Sequence, residues 1–344
     1  MNVTTAASSR SEGVWHAVWR RLRADKVGMF CMVIVALFLL LMLLSGSGLL
    51  ASGWSKEVAV PNAQPTFMGP TPKDATGTLA GPSGANVDLS DIDPLAPRYK
   101  EWAERAAKFQ TADTVKSDNL VFGADRLGRD VLAKAVKGAE VSILVGLLAA
   151  LVATVIGTVL GAISGFFGGK VGDLLEWIYN VFTAIPGILL IFAFAVIFGR
   201  GVMSVAMILG LAGWTGIYRL IRAEFMKHAV RDYVRSAEAI GASQMSRMFK
   251  HILPNVSHVA LVQLSLHVVG FIKSEVILSY LGLGVGVDQV SWGTMLAEAQ
   301  SELILGYWWQ LAAVTAFMAV FVTAFSLFTD ALRDALDPKL RGLE

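Results

Sequence analysis

Two charged residues, Lys273 and Glu275, stand inside a run from Val259 to Gly286 that carries no other charge. An ionised side chain near the centre of a bilayer costs about 2.5–3.5 kcal/mol on insertion scales, so both must face protein or water. Two residues apart on a helix, they point to different faces and do not pair with each other. Two readings stay open for them: a translocation path with a partner charge on another subunit, or a structural ion pair across helices. No catalytic constellation accompanies them. The histidines (His16, His228, His251, His258 and His267) form no H-E-x-x-H or comparable ligand set. Ser164 to Lys170 approaches the phosphate-cradling G-x-x-x-x-G-K, but Ser164 replaces the first glycine and Val171 follows the lysine. The expectation is no catalytic, cofactor-binding or metal-binding residue in this chain.

The elements that position these residues are membrane spans. Apolar residues make up 55% of the 344 and charged residues 16%, against about 25% charged in an ordinary soluble domain. A net charge of +2 gives no argument for nucleic acid as a partner. The single cysteine, Cys31, lies in the first apolar run and excludes an internal disulfide. Reading from charge to charge, and asking for roughly 20 apolar residues per crossing, gives six spans. They are Val27–Leu44, Val141–Gly169, Trp177–Gly199, Gly201–Tyr218, Val259–Gly286 and Leu303–Thr329. The first exceeds the apolar core of a signal peptide and reads as a retained anchor. Sixteen lysines and arginines fall on the side of the termini and the loop after the fourth span, while Arg200 alone occupies the short loops opposite. Both termini are therefore expected in the cytoplasm. The fold class is an all-α polytopic membrane protein.

The segments are a cytoplasmic lead at 1–26, a first transmembrane helix at 27–50 and an external loop with short helices at 51–138. A five-helix core follows at 139–330, containing a cytoplasmic loop at 222–257, and a cytoplasmic tail at 331–344 ends the chain. Between Pro61 and Pro97 seven of the ten prolines cluster with Gly, Ser and Asn, which reads as irregular exposed chain. Tyr99, Trp102, Ala106 and Phe109 share one face of a short amphipathic helix that could lie on the membrane or on its own loop. Gly157, Gly161, Gly165 and Gly169 recur every fourth residue, a spacing that lets two helix backbones meet. Pro186 should kink the third span.

The cytoplasmic loop is too long for a turn. Its sequence predicts a helix from Asp232 to Ile240, with Asp232 capping its start and Gly241 taking the left-handed conformation at its end. A second helix begins near Ser243 and ends before Pro254, making an elbow. The basic residues could hold this elbow on anionic lipid, at about 1 kcal/mol each, or its first helix could dock into a soluble partner. Spacing alone leaves both open.

The loop resembles the "EAA" region of ABC-importer permeases, E-A-A…G…I-x-L-P. Aligned on Gly241, it places Arg235, Ser236 and Ala237 at E-A-A and ends Leu253-Pro254. Arg235, Ser236 and His251 depart from the general pattern, but Arg235 and Lys250-His251-Ile252-Leu253-Pro254 are similar to the peptide/nickel branch. Phe122-Gly-Ala-Asp-Arg-Leu-Gly-Arg-Asp-Val131 resembles that branch's F-G-T-D-x-L-G-R-D-V, with Ala124 for Thr. Gly165–Gly169, Leu278–Gly284, Ser291–Gly293 and Asp330–Pro338 resemble further blocks, so the likeness covers the chain from about residue 122 onward.

What the resemblance implies is the ABC importer type I permease fold and a C-type permease subunit in a bacterial inner membrane. It also implies a homologous B-type permease, two cytoplasmic ATPases that carry ATP and Mg2+, and an external solute-binding protein. The implied ATPase-docking residues are Asp232, Tyr233, Arg235, Ser236, Ala237, Glu238, Gly241, Leu253 and Pro254. Dipeptides, longer peptides, nickel chelates and peptide antibiotics are all carried in that branch. An ion-coupled transporter or channel built around Lys273 and Glu275 is the competing reading, and a membrane-embedded enzyme a more distant one.

Overall fold

The structure is a computed structural model that describes residues 14–69, 71, 98–107, 116–286 and 288–336. The chain forms two compact units, Gly53–Leu132 and Met1–Ser52 with Ala133–Glu344.

In the smaller unit, β1 (Ala59–Pro65) pairs in parallel with β2 (Ser117–Leu120), and α3 covers Tyr99–Ala107. The strand corrects the expectation of irregular chain at Pro61 and Pro65. Proline lacks the ladder donor, but a strand at a sheet edge with a register irregularity tolerates it. Ala59, Ala63 and Ala124 form its small core. Asp125 is fully buried and accepts from the backbone N–H groups of Leu127 and Arg129, both at 2.9 Å, and from Arg129 Nε at 2.7 Å. Gly128 lies at φ +77°, and a Cβ there would fall 2.1 Å from the carbonyl oxygen of Ala59. The motif around Phe122–Val131 is thus a folded turn whose aspartate replaces water for its own backbone. In α3, Tyr99 and Trp102 pack at 6.0 Å; Phe109 and the Ala106 side chain lie outside the described residues, as do most of the proline-rich segment and the tail from Asp337.

The larger unit is helical: α1 (Val14–Ala24), α2 (Lys26–Gly46), α4 (Val131–Phe167), α5 (Gly169–Ala184), α6 (Gly187–Phe198), α7 (Val202–Ala229), α8 (Asp232–Ala239), α9 (Gln244–Ser246), α10 (Leu253–Tyr280), α11 (Trp292–Ile304) and α12 (Trp309–Leu336). Among the described residues, five helices are long and apolar enough to cross a membrane, or six if α5 and α6 count as one broken span. α2 begins under Asp25, whose carboxylate accepts from Val27 N at 3.0 Å. Its Phe38 packs on Phe317 and Phe321 of α12 at 6.0 and 5.2 Å.

α4 starts eight residues before the expected boundary and runs for 37 residues. The charges that ended the apolar reading are paired there: Lys137 meets Glu140 at 2.7 Å, and Glu140 also accepts from Ser45 of α2. Along the other end of α4 the glycine spacing becomes a seam with α7. A Cβ at Gly157, Gly161 or Gly165 would stand 2.7, 2.7 and 2.5 Å from the carbonyl oxygens of Trp214, Tyr218 and Arg222. Four-residue steps on one helix therefore meet four-residue steps on the other, backbone to backbone. Gly169 is not part of the seam. It follows Gly168 in a left-handed turn, with φ values of +58° and +48°.

The third span is broken, not kinked: α5 and α6 meet at 93°. Ile185 is extended because the proline ring after it excludes the α region, and Pro186 then precedes α6. The sixth span begins at Trp309, not Leu303, because Leu303 and Ile304 finish α11. α11 starts in a capping box formed by Ser291 and Thr294.

Candidate functional site

After α7 the chain reverses and forms α8, whose first residue is Asp232 and whose N-cap is Arg231. Asp232 thus sits in the first turn, where a carboxylate complements the helix dipole, and does not cap by hydrogen bonding. The C-terminus is closed by a Schellman pair: Gly241 N donates to Glu238 O at 2.9 Å and Ala242 N to Ala237 O at 3.0 Å. Gly241 holds φ +86° in open space, so its requirement is conformational and not steric.

Beyond it, Ser243 caps a short helical start, and the backbone widens into a π-helical stretch over Arg247–Ile252 before α10. This corrects the expected elbow. The helix does not end before Pro254; it runs on from Gln244 to Tyr280. The proline occupies the first turn of α10, and the widened turn before it relieves the clash its ring would make with the carbonyl four residues back.

α8 has two faces. Val234 and Ala237 are buried, as are Met248 and Ile252 on the π turn that α8 packs against. Ala237 therefore belongs to the packing and not to the outer surface. Glu238 and Arg247 clamp the two pieces at 2.7 Å, with the Arg247 guanidinium 5.7 Å over the Phe166 ring at the end of α4. Tyr233 Oη meets His228 Nδ1 of α7 at 2.8 Å. Burial pushes the Tyr233 phenol up from its ordinary value, against the Asn255 hydrogen bond and the Arg231 charge. The outer face carries Asp232, Arg235 and Ser236, with Ile240 at the tip 86% exposed. Met245 and Phe249 extend the apolar surface beside it. Leu253 and Pro254 begin α10.

Lys273 and Glu275 part company in α10. Lys273 is exposed, and Glu275 is fully buried. Ser142 of α4 and Ser279 donate to the two Glu275 carboxylate oxygens, each at 2.6 Å, with Ser291 as a third hydroxyl partner. Each of the first two serines is itself held: Ser142 Oγ accepts from Trp292 N at 3.1 Å and Ser279 Oγ from Val285 N at 3.3 Å. The carboxylate thus joins α4, α10, the following loop and α11 through hydroxyl relays inside the chain. Only Lys273 of the two has surface to offer a path or a second subunit.

Two further polar clusters, the first half-buried and the second buried, were missed from sequence. Arg222 Nε donates to Ser164 Oγ at 3.0 Å and lies 3.4 Å from Glu176, while Tyr218 Oη donates to Ser164 at 2.9 Å. This ties α4, α5 and α7 together and uses the Ser164 hydroxyl of the near-miss phosphate motif. Lys134, fully buried, pairs with Glu298 and with Gln310 Oε1 at 3.3 Å, joining α4, α11 and α12. Glu176, Arg222 and Lys134 escaped because spans drawn from charge to charge place every terminal charge outside by construction. No group of three or more His, Cys, Asp or Glu able to hold a metal occurs among the described residues.

Helices, seam and loop together are matched by known proteins. Residues 157–342, more than half the chain, match the family described as binding-protein-dependent transport system inner membrane component. The chain belongs to that family. It is a permease subunit of an ABC importer. Residues 13–54 of the permease also match the N-terminal TM domain of oligopeptide transport permease C. The permease is 34% identical over 247 residues to the oligopeptide transport system permease protein OppC of Bacillus subtilis (strain 168), covering 72% of this chain and 81% of that one. To the dipeptide transport system permease protein DppC of Lactococcus lactis subsp. cremoris (strain MG1363) it is 30% identical over 321 residues, 93% of this chain and 89% of the relative. To the glutathione transport system permease protein GsiD of Shigella flexneri serotype 5b (strain 8401) it is 38% identical over 223 residues, 64% and 73%. The matched range takes in the seam, α8 and the whole Glu275 network except Ser142.

Proposed function

We propose that this permease is the C-type half of a heterodimer in a bacterial inner membrane, with both termini cytoplasmic, and that it admits peptides or related small solutes. The named substrates of its relatives, oligopeptides, dipeptides and glutathione, share a peptide backbone, which supports this class. The homologous B-type permease supplies the other wall of the path, and an external solute-binding protein delivers the solute. ATP and Mg2+ act on two cytoplasmic ATPases.

The observation that carries the reading is α8. It is a short helix locked at its end by a Schellman pair, clamped by Glu238–Arg247 to the π-helical stretch before α10 and tipped by exposed Ile240. Asp232, Tyr233, Arg235 and Ser236 would contact an ATPase, and the helix continuing unbroken past Pro254 into α10 would carry a rigid-body push to Lys273. In the assembled complex, Ser236→Cys should form a specific crosslink to an ATPase. Gly241→Val, which forces a β-branched residue to φ +86°, should uncouple ATP hydrolysis from substrate while leaving assembly largely intact. Absence of the crosslink together with normal coupling in Gly241→Val would sink the proposal.

A further inference from the structure

We propose that a cleft between α7, α10 and α12 is a binding site for the headgroup of an anionic phospholipid. The cleft has a volume of about 210 Å³. Leu220 of α7 with Val259 and Val262 of α10 form its apolar wall, and His258, Gln263 and Arg333 bring polar groups into the same space. Among the described residues, none of these three polar side chains has a hydrogen bond or ion pair. Arg333 is exposed, so its guanidinium is open to an arriving anion, which it can meet with charge-assisted hydrogen bonds. Arg333 also suits the negative end of α12, but that explains the charge and not the cleft.

The depths fit an amphiphile. Arg333 lies about 36 Å along α12 from Trp309, beyond a hydrocarbon layer of about 30 Å, whereas Leu220 lies about 27 Å along α7 from Val202, within it. A lipid standing here would place its phosphate at Arg333 and its acyl chain on the Leu220 wall. The same end of the molecule is built for the interface. Val18 of α1 packs with Ala335 and Leu336 of α12 and against Val262, so α1 lies beside the cleft. α1 carries Arg20, Arg21 and Arg23, and Arg23 sits 5.0 Å over the ring of the exposed Trp19. Tryptophan and arginine together mark headgroup depth, and basic pockets between membrane helices select anionic lipid.

The proposal rests on the chain spanning a bilayer and not on α8, so lipid selectivity and ATP coupling are separate readouts. The test is native mass spectrometry of the full importer complex in micelles containing phosphatidylglycerol or phosphatidylcholine of identical chains. Phosphatidylglycerol should be retained in preference, and Arg333→Gln should lower that preference about fivefold, the contribution of one cation near a membrane surface. Lys56→Gln, an exposed residue of the smaller unit, should leave it unchanged. Leu220→Trp, which fills the wall and keeps the cation, should also lower retention, and guards against an Arg333 variant that fails to assemble. Unchanged selectivity in both Arg333→Gln and Leu220→Trp would overturn the site. Displacement of the lipid by inorganic phosphate would overturn the lipid in favour of a soluble anion.

Discussion

The α4–α7 seam and the α5–α6 pair lie next to each other in the sequence and are built in opposite ways. In the seam, three glycines bring one backbone against another, and α7 buries Trp214, Ile217, Tyr218 and Ile221 along its length. In the bent pair, the only buried residues are Gly172 and Ala195, and Val196 and Ile197 stand 80% and 75% exposed. α5 is attached mainly by aromatic contacts of Tyr179 and Phe182 with Tyr218 and Trp214, at 5.3 and 5.4 Å, and by Glu176 with Arg222. Both are apolar helices in a membrane, where apolarity itself provides no force between helices. What differs is shape. The seam closes because nothing projects from it, while the bent pair rests on α7 and presents most of its other side chains outward.

Breaking the seam should have the largest effect. Gly161→Leu places a branched side chain where even a Cβ would be 2.7 Å from Tyr218 O, and a backbone cannot step aside as a side chain can. We expect a loss of about 3 kcal/mol or more, visible as failure of the purified permease to survive mild detergent extraction. Wild-type thermal stability in that variant would mean the helices are not held at this distance. The Glu275 network should come next. Glu275→Ala strands the hydroxyls of Ser142 and Ser279 and should cost about 1–3 kcal/mol, whereas Glu275→Gln keeps an acceptor and should cost less. Equal melting shifts for the two variants would show that the carboxylate is not what stitches α4 to α10. The smallest effect belongs to the bent pair: Val196→Ser should change the stability of the permease alone by less than about 0.5 kcal/mol. A large shift in that thermal melt would place Val196 in a core and end the contrast between the two regions.

Much of the fold was legible because its causes are local. Apolar length marked the spans, the spacing of Gly157, Gly161 and Gly165 marked the seam, and Gly241 marked the end of α8 by the one backbone conformation it favours. Pro186 was legible as a disturbance, though its size was not, since whether a helix bends or breaks at proline depends on what packs beyond it. Asp232 and Pro254 were misjudged in a related way. Residue type favours Asp232 as the cap, but the cap falls one residue earlier, at Arg231, and Asp232 is the first helical residue; Pro254 favours a stop, but a widened turn absorbs it. The proline-rich stretch hid a strand, because the residues that pair with Ala59–Pro65 lie far along the chain at Ser117–Leu120.

The sequence by itself determined that this chain crosses a membrane several times, and it carried the motifs of an importer permease, since hydropathy, charge asymmetry and turn chemistry act over a few residues. Only the tertiary structure decided which charges are buried. Lys273 and Glu275 differ by two positions and had equal standing in the sequence, yet Glu275 is sealed because Ser142, 133 residues away, reaches it on a neighbouring helix. A buried carboxylate is stable only where donors converge on it, and that convergence is made by the packing of helices and not by any one of them.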